Sequence, residues 1–181
     1  VNTVGPIFDL KKLDWLNGHY IRSLTPAELA DRVVQFALRS GQWTEAPDAA
    51  TLALLRSAVP LVQERLVLLS EALPKLAYLF TSDADLVIDA DALAKAGADA
   101  SAVVAAATTS LSGLGEWNHE AIQAALREAL IDGLGLKPKF AFGPVRLAIT
   151  GSNVSPPLFE SMELLGRESS LARLGKLQTL L

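Results

Sequence analysis

Cysteine is absent from this sequence. Its absence excludes disulfide bonds and thiolate metal ligands, and it fits a reducing compartment. No apolar run approaches the roughly 18 residues that a membrane-spanning helix needs. No basic segment precedes an apolar stretch near the start of the chain, so the pattern of a signal peptide is also missing. We therefore expect a cytoplasmic protein that does not associate with membranes.

Motifs for catalysis are also lacking. The two histidines, His19 and His119, lie far apart in the sequence, and without cysteine they form no zinc-binding pattern. Neither a G-x-S-x-G run nor a G-K-[ST] run is present. The G-x-G pairs at 113–115 and 133–135 have no third glycine and follow no strand, so they indicate helix ends. The residues themselves give no candidate for catalysis or metal binding.

What the chain does contain is apolar residues at helical spacing. Half of its 181 residues are apolar and 20% are charged, which is typical of a globular protein with one large domain or two small ones. No segment alternates with period two for long enough to form a sheet. The sequence predicts an all-α fold, an irregular bundle of short helices. The glycines at 113–116 suggest a boundary between two tandem helical subdomains.

Local signals predict where these helices begin. Asp9, Asp48 and Asn118 can act as N-caps, and Thr25-Pro26-Ala27-Glu28 has the pattern of a capping box. The segment after Asn118 should place Ile122, Leu126 and Leu130 on one stripe, as the last helix should place Leu171, Leu174 and Leu177.

Other signals predict interruptions and weak helices. Pro60 should break or kink the third helix, and helical spacing resumes over 61–73 until Pro74 interrupts it again. The Ala-rich segment 91–111 should form one or two loosely packed helices, since alanine favours helix but buries little surface.

Charge is unevenly distributed along the chain. The formal net charge is −4, so the chain is not a generally basic nucleic-acid binder. From residue 133 to the end, six basic residues oppose three acidic ones, whereas residues 82–101 have five aspartates and one lysine. The asymmetry is compatible with one face turned toward a polyanion, but from the residues alone two ordinary solvated surfaces are the favoured interpretation.

The stretch 137–165 joins two helical segments through a Thr-Gly-Ser-Asn connector. Arg146 precedes the connector, and Ser-Pro-Pro-Leu-Phe follows it. Ser155 is a suitable N-cap and Pro156 suits the first helical position. The backbone N–H groups of such a helix start suit an anion or a polar base edge.

The same stretch resembles a known family. G-P-V-R-L-A-I-T-G followed by S-P-P-L-F-E-S-M-E-L-L-G is similar to the C-terminal signature of bacterial glutamyl-tRNA synthetase, P-x-R-x-A-x-T-G and then S/T-P-x-L-F-E with L-L-G. Near the start, F-D-L-K-K-L-D-W-L-N-G-H-Y-I-R resembles the family's F-D-x-x-K-L-x-W-x-N-x-x-Y-I. The resemblance covers nearly the whole chain and implies an anticodon-binding region cut away from its catalytic half.

The resemblance implies a division of the chain and a set of site residues. Residues 1–24 would end the stem-contact region, and 25–114 and 115–181 would be two anticodon-binding subdomains. The positions carried over as RNA-binding are Arg65, Arg127, Arg146, Ser155, Pro156, Leu158 and Phe159.

Each carried-over position has a structural alternative. Arg65 could be a solvated helix residue paired with Glu64. Arg146 could be a buried structural arginine, and Arg127 a surface residue paired with neighbouring Glu128 or Gln123. Of Leu158 and Phe159, at least one should belong to the core, because adjacent helix residues cannot share one face. The three tryptophans fit a core or hinge role better than a base-stacking role.

For function, the resemblance implies recognition of the anticodon loop of tRNA-Glu, with tRNA-Gln as a second candidate partner. The parent would be a monomeric class I ligase that uses ATP and Mg²⁺. The family's ATP-handling motifs are missing from this chain, so the fragment is expected to hold no cofactor and to be inactive alone. Two other hypotheses stay open: an all-α protein-interaction domain without an RNA role, and a helical bundle that binds a small molecule.

Overall fold

A computed structural model of the chain describes residues 9–181. These residues form helices and contain no strand, which confirms the predicted all-α class. Phe8 and the rest of the predicted segment 1–24 before Asp9 lie outside the described residues. The helices are α1 (Leu10–Ser23), α2 (Pro26–Ser40), α3 (Ala49–Ala58), α4 (Pro60–Gln63), α5 (Ala72–Phe80), α6 (Ala90–Ala94), α7 (Ala100–Ser112), α8 (His119–Leu126), α9 (Pro138–Thr150), α10 (Leu158–Leu165) and α11 (Arg167–Gln178).

The chain forms two compact units, a first that ends at Leu76 and a second that spans Ala77–Leu181. This division lies earlier than the predicted boundary between 114 and 115. Helix α7, which the prediction grouped with the preceding helices, packs against α8, α9 and α11 in the second unit. The assignment of anticodon-binding subdomains to ranges of the chain stays a prediction.

Side chains at the helix starts behave as the local sequence predicts. Asp9 accepts a hydrogen bond from the backbone N–H of Lys11 at 3.0 Å, and Asp48 accepts one from Thr51 at 2.7 Å. Thr25 and Glu28 form both halves of the capping box. These caps satisfy backbone donors that a helix start leaves without intrahelical partners.

Pro60 and Pro74 have different effects on the helices in which they lie. Helix α3 ends at Ala58 and Pro60 begins α4, as predicted. The predicted helical segment 61–73 is wrong, because the chain leaves helical geometry after Gln63 and re-enters it through the 3₁₀ turn Leu69–Glu71. Pro74 lies in the first turn of α5, where an N–H has no intrahelical partner, and so it interrupts nothing.

The Ala-rich segment forms α6 and α7, and the prediction of loose packing is wrong for α7. Val103, Ala107 and Leu111 are fully buried, and they belong to the core of the second unit. Small alanine side chains let neighbouring helices approach closely, so the helix is buried although each alanine contributes little apolar surface.

Helix α8 has the cap and the apolar stripe that the sequence predicts. Asn118 accepts a hydrogen bond from the N–H of Ala121 at 2.8 Å. Ile122, Leu126 and Leu130 are all fully buried. The last of them lies in a π-helical turn, Arg127–Asp132, that continues α8 before the glycines end it.

No helix within residues 9–181 is long and apolar enough to cross a membrane.

Candidate nucleic-acid interface

Arg146 organises the segment that links α9 to α10. Its Nη1 donates hydrogen bonds to the hydroxyl of Ser155 and, at 2.9 Å, to the carbonyl of Pro156. The side chain is half-buried, and it also lines a surface groove. Three of the carried-over residues thus contact one another, and the arginine has a structural role together with access to a surface.

The prediction that Ser155 caps α10 and Pro156 begins it is wrong. Helix α10 begins at Leu158, with Pro157 in the cap position and no side-chain cap. A residue that precedes proline is disfavoured in the helical region, so Pro157 keeps Pro156 out of the helix. The Ser155 hydroxyl is instead held by Arg146 and donates to the Pro156 carbonyl at 2.9 Å.

A second contact fixes the start of α10 from its other side. The hydroxyls of Tyr78 and Ser161 are 2.7 Å apart, and that of Ser161 also donates to the Pro157 carbonyl. Burial raises the pKa of Tyr78 to about 12, although the hydrogen bond to Ser161 and the charges of Arg146 and Arg173 act in the opposite direction. The phenol therefore stays neutral and available as a hydrogen-bond partner at physiological pH.

The backbone conformation at position 151 of the connector requires glycine. Its φ angle is +76°, and a Cβ added to it would lie 2.3 Å from the carbonyl oxygen of Val87. The N–H of Asp89 donates to the Gly151 carbonyl at 2.9 Å. The Thr-Gly pair of the motif is therefore where the loop before α6 packs against the end of α9.

Leu158 and Phe159 have different environments, as adjacent helix residues must. Leu158 is 3% exposed and belongs to the core, which gives a base no access to it. Phe159 is half-buried and packs edge-on against Phe142, with ring centroids 5.3 Å apart. The expectation that at least one of the pair is a core residue is confirmed.

A groove of about 560 Å³ runs along α9 beside Arg146, and we call it the α9 groove. Among the described residues, its lining includes three cationic side chains and no carboxylate. Phe140, which is 59% exposed, and the half-buried Phe142 contribute its aromatic surface. The lining residues are Lys95, Ala96, Pro138, Lys139, Phe140, Phe142, Gly143, Pro144, Arg146, Leu147 and Asn153.

Lys95, Lys139 and Phe140 were not among the site residues predicted from the sequence. Lys139 and Phe140 form a basic–aromatic pair in the stretch 137–165, and that pair was the available signal. Lys95 comes from the aspartate-rich region, and only the fold brings it to α9. No ion pair engages either lysine within residues 9–181.

The basic excess after residue 133 is smaller at the surface than in the sequence. Arg173 is 1% exposed and bonds Asp83 and three backbone carbonyls. Lys176 donates to the carbonyls of Asp83, Ala84 and Leu86. Arg167 donates to the carbonyls of Leu114 and Gly115. These three side chains, like Arg146, hold loops in place, which leaves Lys137 and Lys139 as the cations of this segment whose side chains have no hydrogen bond or ion pair within residues 9–181.

Arg65 and Arg127 are exposed. Arg65 lies in the turn after α4, in the first unit, and Arg127 begins the π-helical turn in the second. Within residues 9–181 neither guanidinium has a hydrogen bond or an ion pair, so the alternatives that pair them with Glu64, or with Glu128 or Gln123, are not realised. Both side chains are available to an external ligand.

His119 forms a polar cluster with two glutamates. Its Nδ1 lies 2.8 Å from Glu163 and its Nε2 lies 3.1 Å from Glu120. The hydrogen bond to Glu163 raises the pKa of His119, and the charges of Glu120, Glu163 and Glu160 add to this effect against a smaller cost of burial. No group of side chains within residues 9–181 has the arrangement of a metal site.

The tryptophans are divided between surface and core. The indole of Trp117 donates to the Met162 carbonyl at 3.0 Å and lies under the guanidinium of Arg167, as a packing role predicts. Of the core or hinge role expected for the tryptophans, the core role is wrong for Trp15, which is 64% exposed and stacks on His19 with ring centroids 5.6 Å apart; the hinge role stays a prediction.

Comparison of the chain with known proteins shows which family it belongs to. The family model described as "Anticodon binding domain" matches residues 28–178. The chain belongs to the anticodon binding domain family. It is 51% identical to the glutamate–tRNA ligase of Cutibacterium acnes over 98% of this chain and 37% of that protein. It is 54% identical to the glutamate–tRNA ligase of Acidothermus cellulolyticus over 96% of this chain and 35% of that protein.

Solved structures show the same fold. A crystal structure of a glutamate tRNA ligase from Elizabethkingia meningosepticum matches 99% of this chain and 34% of that one, with a TM-score of 0.79 and 20% identity. The chain spans about a third of the length of the relatives that it matches.

Proposed function

We propose that this chain recognises the anticodon loop of tRNA-Glu and forms the C-terminal part of a glutamate–tRNA ligase. Its relatives over nearly the whole chain are ligases of that name, and the matched family is an anticodon-binding one. The parent would activate glutamate with ATP and Mg²⁺ in the cytoplasm, through residues that lie outside this sequence.

The observation that carries the proposal is the combination of exposed arginines and a cationic groove on an acidic protein. Arg65 and Arg127 have no partner within residues 9–181, and the α9 groove beside Arg146 contains no carboxylate. Sequence-specific RNA recognition uses unpaired bases that stack on planar side chains and hydrogen-bond through their edges. A guanidinium group supports both contacts, since it is planar and donates two parallel hydrogen bonds.

We assign different parts to the carried-over residues. Arg65 and Arg127 would contact anticodon bases directly. Arg146, Ser155 and Pro156 would shape the surface between α9 and α10, with Arg146 also facing the groove. Phe159 would support the rings on that surface through Phe142, and Leu158 would contribute only packing.

The test is tRNA binding by the 181-residue chain and its variants. We expect Arg65→Ala and Arg127→Ala each to weaken tRNA-Glu binding by about 10-fold or more, because one good arginine–base pair contributes about 1–3 kcal/mol. Arg56→Ala is the matched control, since that exposed arginine pairs with Asp31. Circular dichroism should show all three variants folded.

Comparison of tRNA-Glu, tRNA-Gln and an anticodon-swapped tRNA-Glu measures specificity. Binding to tRNA-Glu should exceed binding to the swapped molecule, and it should weaken steeply as salt rises. Equal binding of all three tRNAs, or folded Arg65 and Arg127 variants with wild-type affinity, would contradict anticodon recognition. Salt-insensitive binding of a protein partner would instead support the interaction-domain hypothesis.

A further inference from the structure

We propose that the α9 groove is an additional nucleotide subsite, in which Phe140 stacks on an unpaired base while Lys95 and Lys139 contact the phosphates on either side of it. The inference rests on the proposed function and extends it to residues outside the carried-over set. It commits to one occupant, a nucleotide of a single-stranded RNA loop.

The exposure of Phe140 is the first reason. The ring is 59% exposed although Phe142, two residues later, is half-buried against Phe159. A phenylalanine in an open groove gains stability when a flat apolar surface covers it, and every nucleobase presents such a surface. Base–aromatic stacking requires no particular base, so this contact would add affinity with little sequence preference.

Charge is the second reason. Lys95, Lys139 and Arg146 line the groove without a carboxylate, on a chain whose net charge is −4. Lys95 is the single basic residue of the segment 82–101, which has five aspartates, yet Lys95 lines the groove and none of those aspartates does. A local concentration of positive charge on an acidic protein suits a phosphate-bearing ligand, and it disfavours a partner that docks through an uncharged apolar face.

The connection to Arg146 is the third reason. Arg146 lines the groove and also bonds Ser155 and Pro156, so the groove is continuous with the segment proposed to shape the anticodon surface. Asn153 lies on the same rim, and its amide can both donate to and accept from a base edge. An RNA strand that passes the Ser-Pro-Pro segment can therefore place its next nucleotide against Phe140.

The volume is consistent with this occupant. About 560 Å³ lies within the range of about 300–1,000 Å³ that is typical of sites for small ligands, and it accommodates one nucleotide rather than a folded partner.

The experiment separates stacking from charge by measuring tRNA-Glu affinity at several salt concentrations. Phe140→Ala should lower the affinity about 10-fold and leave the slope of log K against log salt unchanged, because stacking releases no counterions. Phe140→Trp should retain the affinity. Lys95→Gln and Lys139→Gln should each reduce the magnitude of the slope by about 0.7, the value expected for one phosphate contact on a single strand.

Two control variants match these changes away from the groove. Lys75→Gln removes an exposed lysine that pairs with Glu71, and Val87→Ala removes an apolar side chain that is 82% exposed. Both should bind like the wild type.

The outcomes distinguish the two proposals. If Phe140→Ala and Lys139→Gln bind like the wild type while Arg65→Ala is impaired, the subsite is refuted and the anticodon proposal stands. If the wild-type chain itself shows no salt-dependent binding of tRNA, both proposals fail. Loss of binding to a protein or to anionic vesicles on Phe140→Ala, without an effect on tRNA, would also overturn the subsite.

Discussion

Arg173 and Asp83 form a short ion pair, 2.6 Å from Nε to Oδ1, between a fully buried guanidinium and a partly exposed carboxylate. The remaining donors of Arg173 bond the carbonyls of Tyr78, Thr81 and Ile149 at 2.8–2.9 Å. One side chain of α11 thus fixes the end of α5, the loop after it and the end of α9.

Replacing this arginine should destabilise the second unit strongly. In Arg173→Met, Asp83 and three carbonyls lose their donor, and each buried acceptor left without a partner costs about 1–3 kcal/mol. Urea unfolding followed by circular dichroism measures the change. Arg127→Met is the control, since that arginine is exposed, and it should alter the free energy of unfolding by less than about 0.5 kcal/mol. Similar values for the two variants would contradict the role of Arg173.

Gly151→Ala should cost more than backbone strain alone. Gly135 has a similar φ angle, +66°, but no atom within 4 Å of an added Cβ, whereas at Gly151 the Val87 carbonyl is 2.3 Å away. We expect Gly135→Ala to lose about 1–2 kcal/mol from the left-handed conformation. Gly151→Ala should lose about 1–3 kcal/mol more, because its neighbours must shift. Equal melting temperatures for the two variants would show that the loop at Val87 adapts freely.

His119 should make stability depend on pH. Its pKa is raised in the folded state, chiefly by the hydrogen bond to Glu163, so its contribution is fully present below the unfolded pKa of about 6.5. The contribution is lost as pH rises through the folded pKa. The melting temperature of the wild type should therefore exceed that of His119→Gln by most at low pH, and the difference should shrink above pH of about 6.5. A difference that is constant from acid to alkaline pH would refute this account.

Tyr78 should produce a second pH dependence, at alkaline pH. Burial raises its pKa to about 12, above the unfolded value of about 10, so stability should fall as pH rises through that interval. Tyr78→Phe should remove the fall and cost about 1 kcal/mol at neutral pH through loss of the bond to Ser161. Tyr20→Phe, at a position 62% exposed, is the control and should preserve the alkaline fall in unfolding experiments.

The helix starts could be predicted because a cap is a short-range interaction. Asp9, Thr25, Asp48 and Asn118 bond N–H groups two or three residues away, so the relevant partners lie within one turn of sequence. Ser155 looked the same in sequence, but the adjacent Pro156-Pro157 pair excluded the helix and Arg146 took the hydroxyl. The prediction was therefore wrong at Ser155, because the partner of its hydroxyl, Arg146, lies nine residues away and outside one turn of sequence.

The residues of the candidate site also fall into two groups: those that short-range sequence signals indicate, and those that only the packing reveals. Arg146 and Ser155 could each be identified as candidates because both belong to the family motif, but their hydrogen bond was found only in the structure. Phe140 and Lys139 lie in the same stretch, yet nothing in the sequence indicates that α9 exposes them beside Lys95. The depth of Leu158 and the exposure of Trp15 were also decided by packing, since apolar residue types alone do not determine burial.

The sequence alone determined the all-α class, most helix starts and the family, because periodicity, caps and motifs are encoded in nearby residues. Only the tertiary structure decided which cations remain at the surface. Arg173 and Lys176 bond loop residues about ninety positions earlier, whereas Lys95 and Lys139 meet in an open groove without a carboxylate. The physical reason is that the cost of burying a charge depends on long-range partners, which only the folded chain supplies.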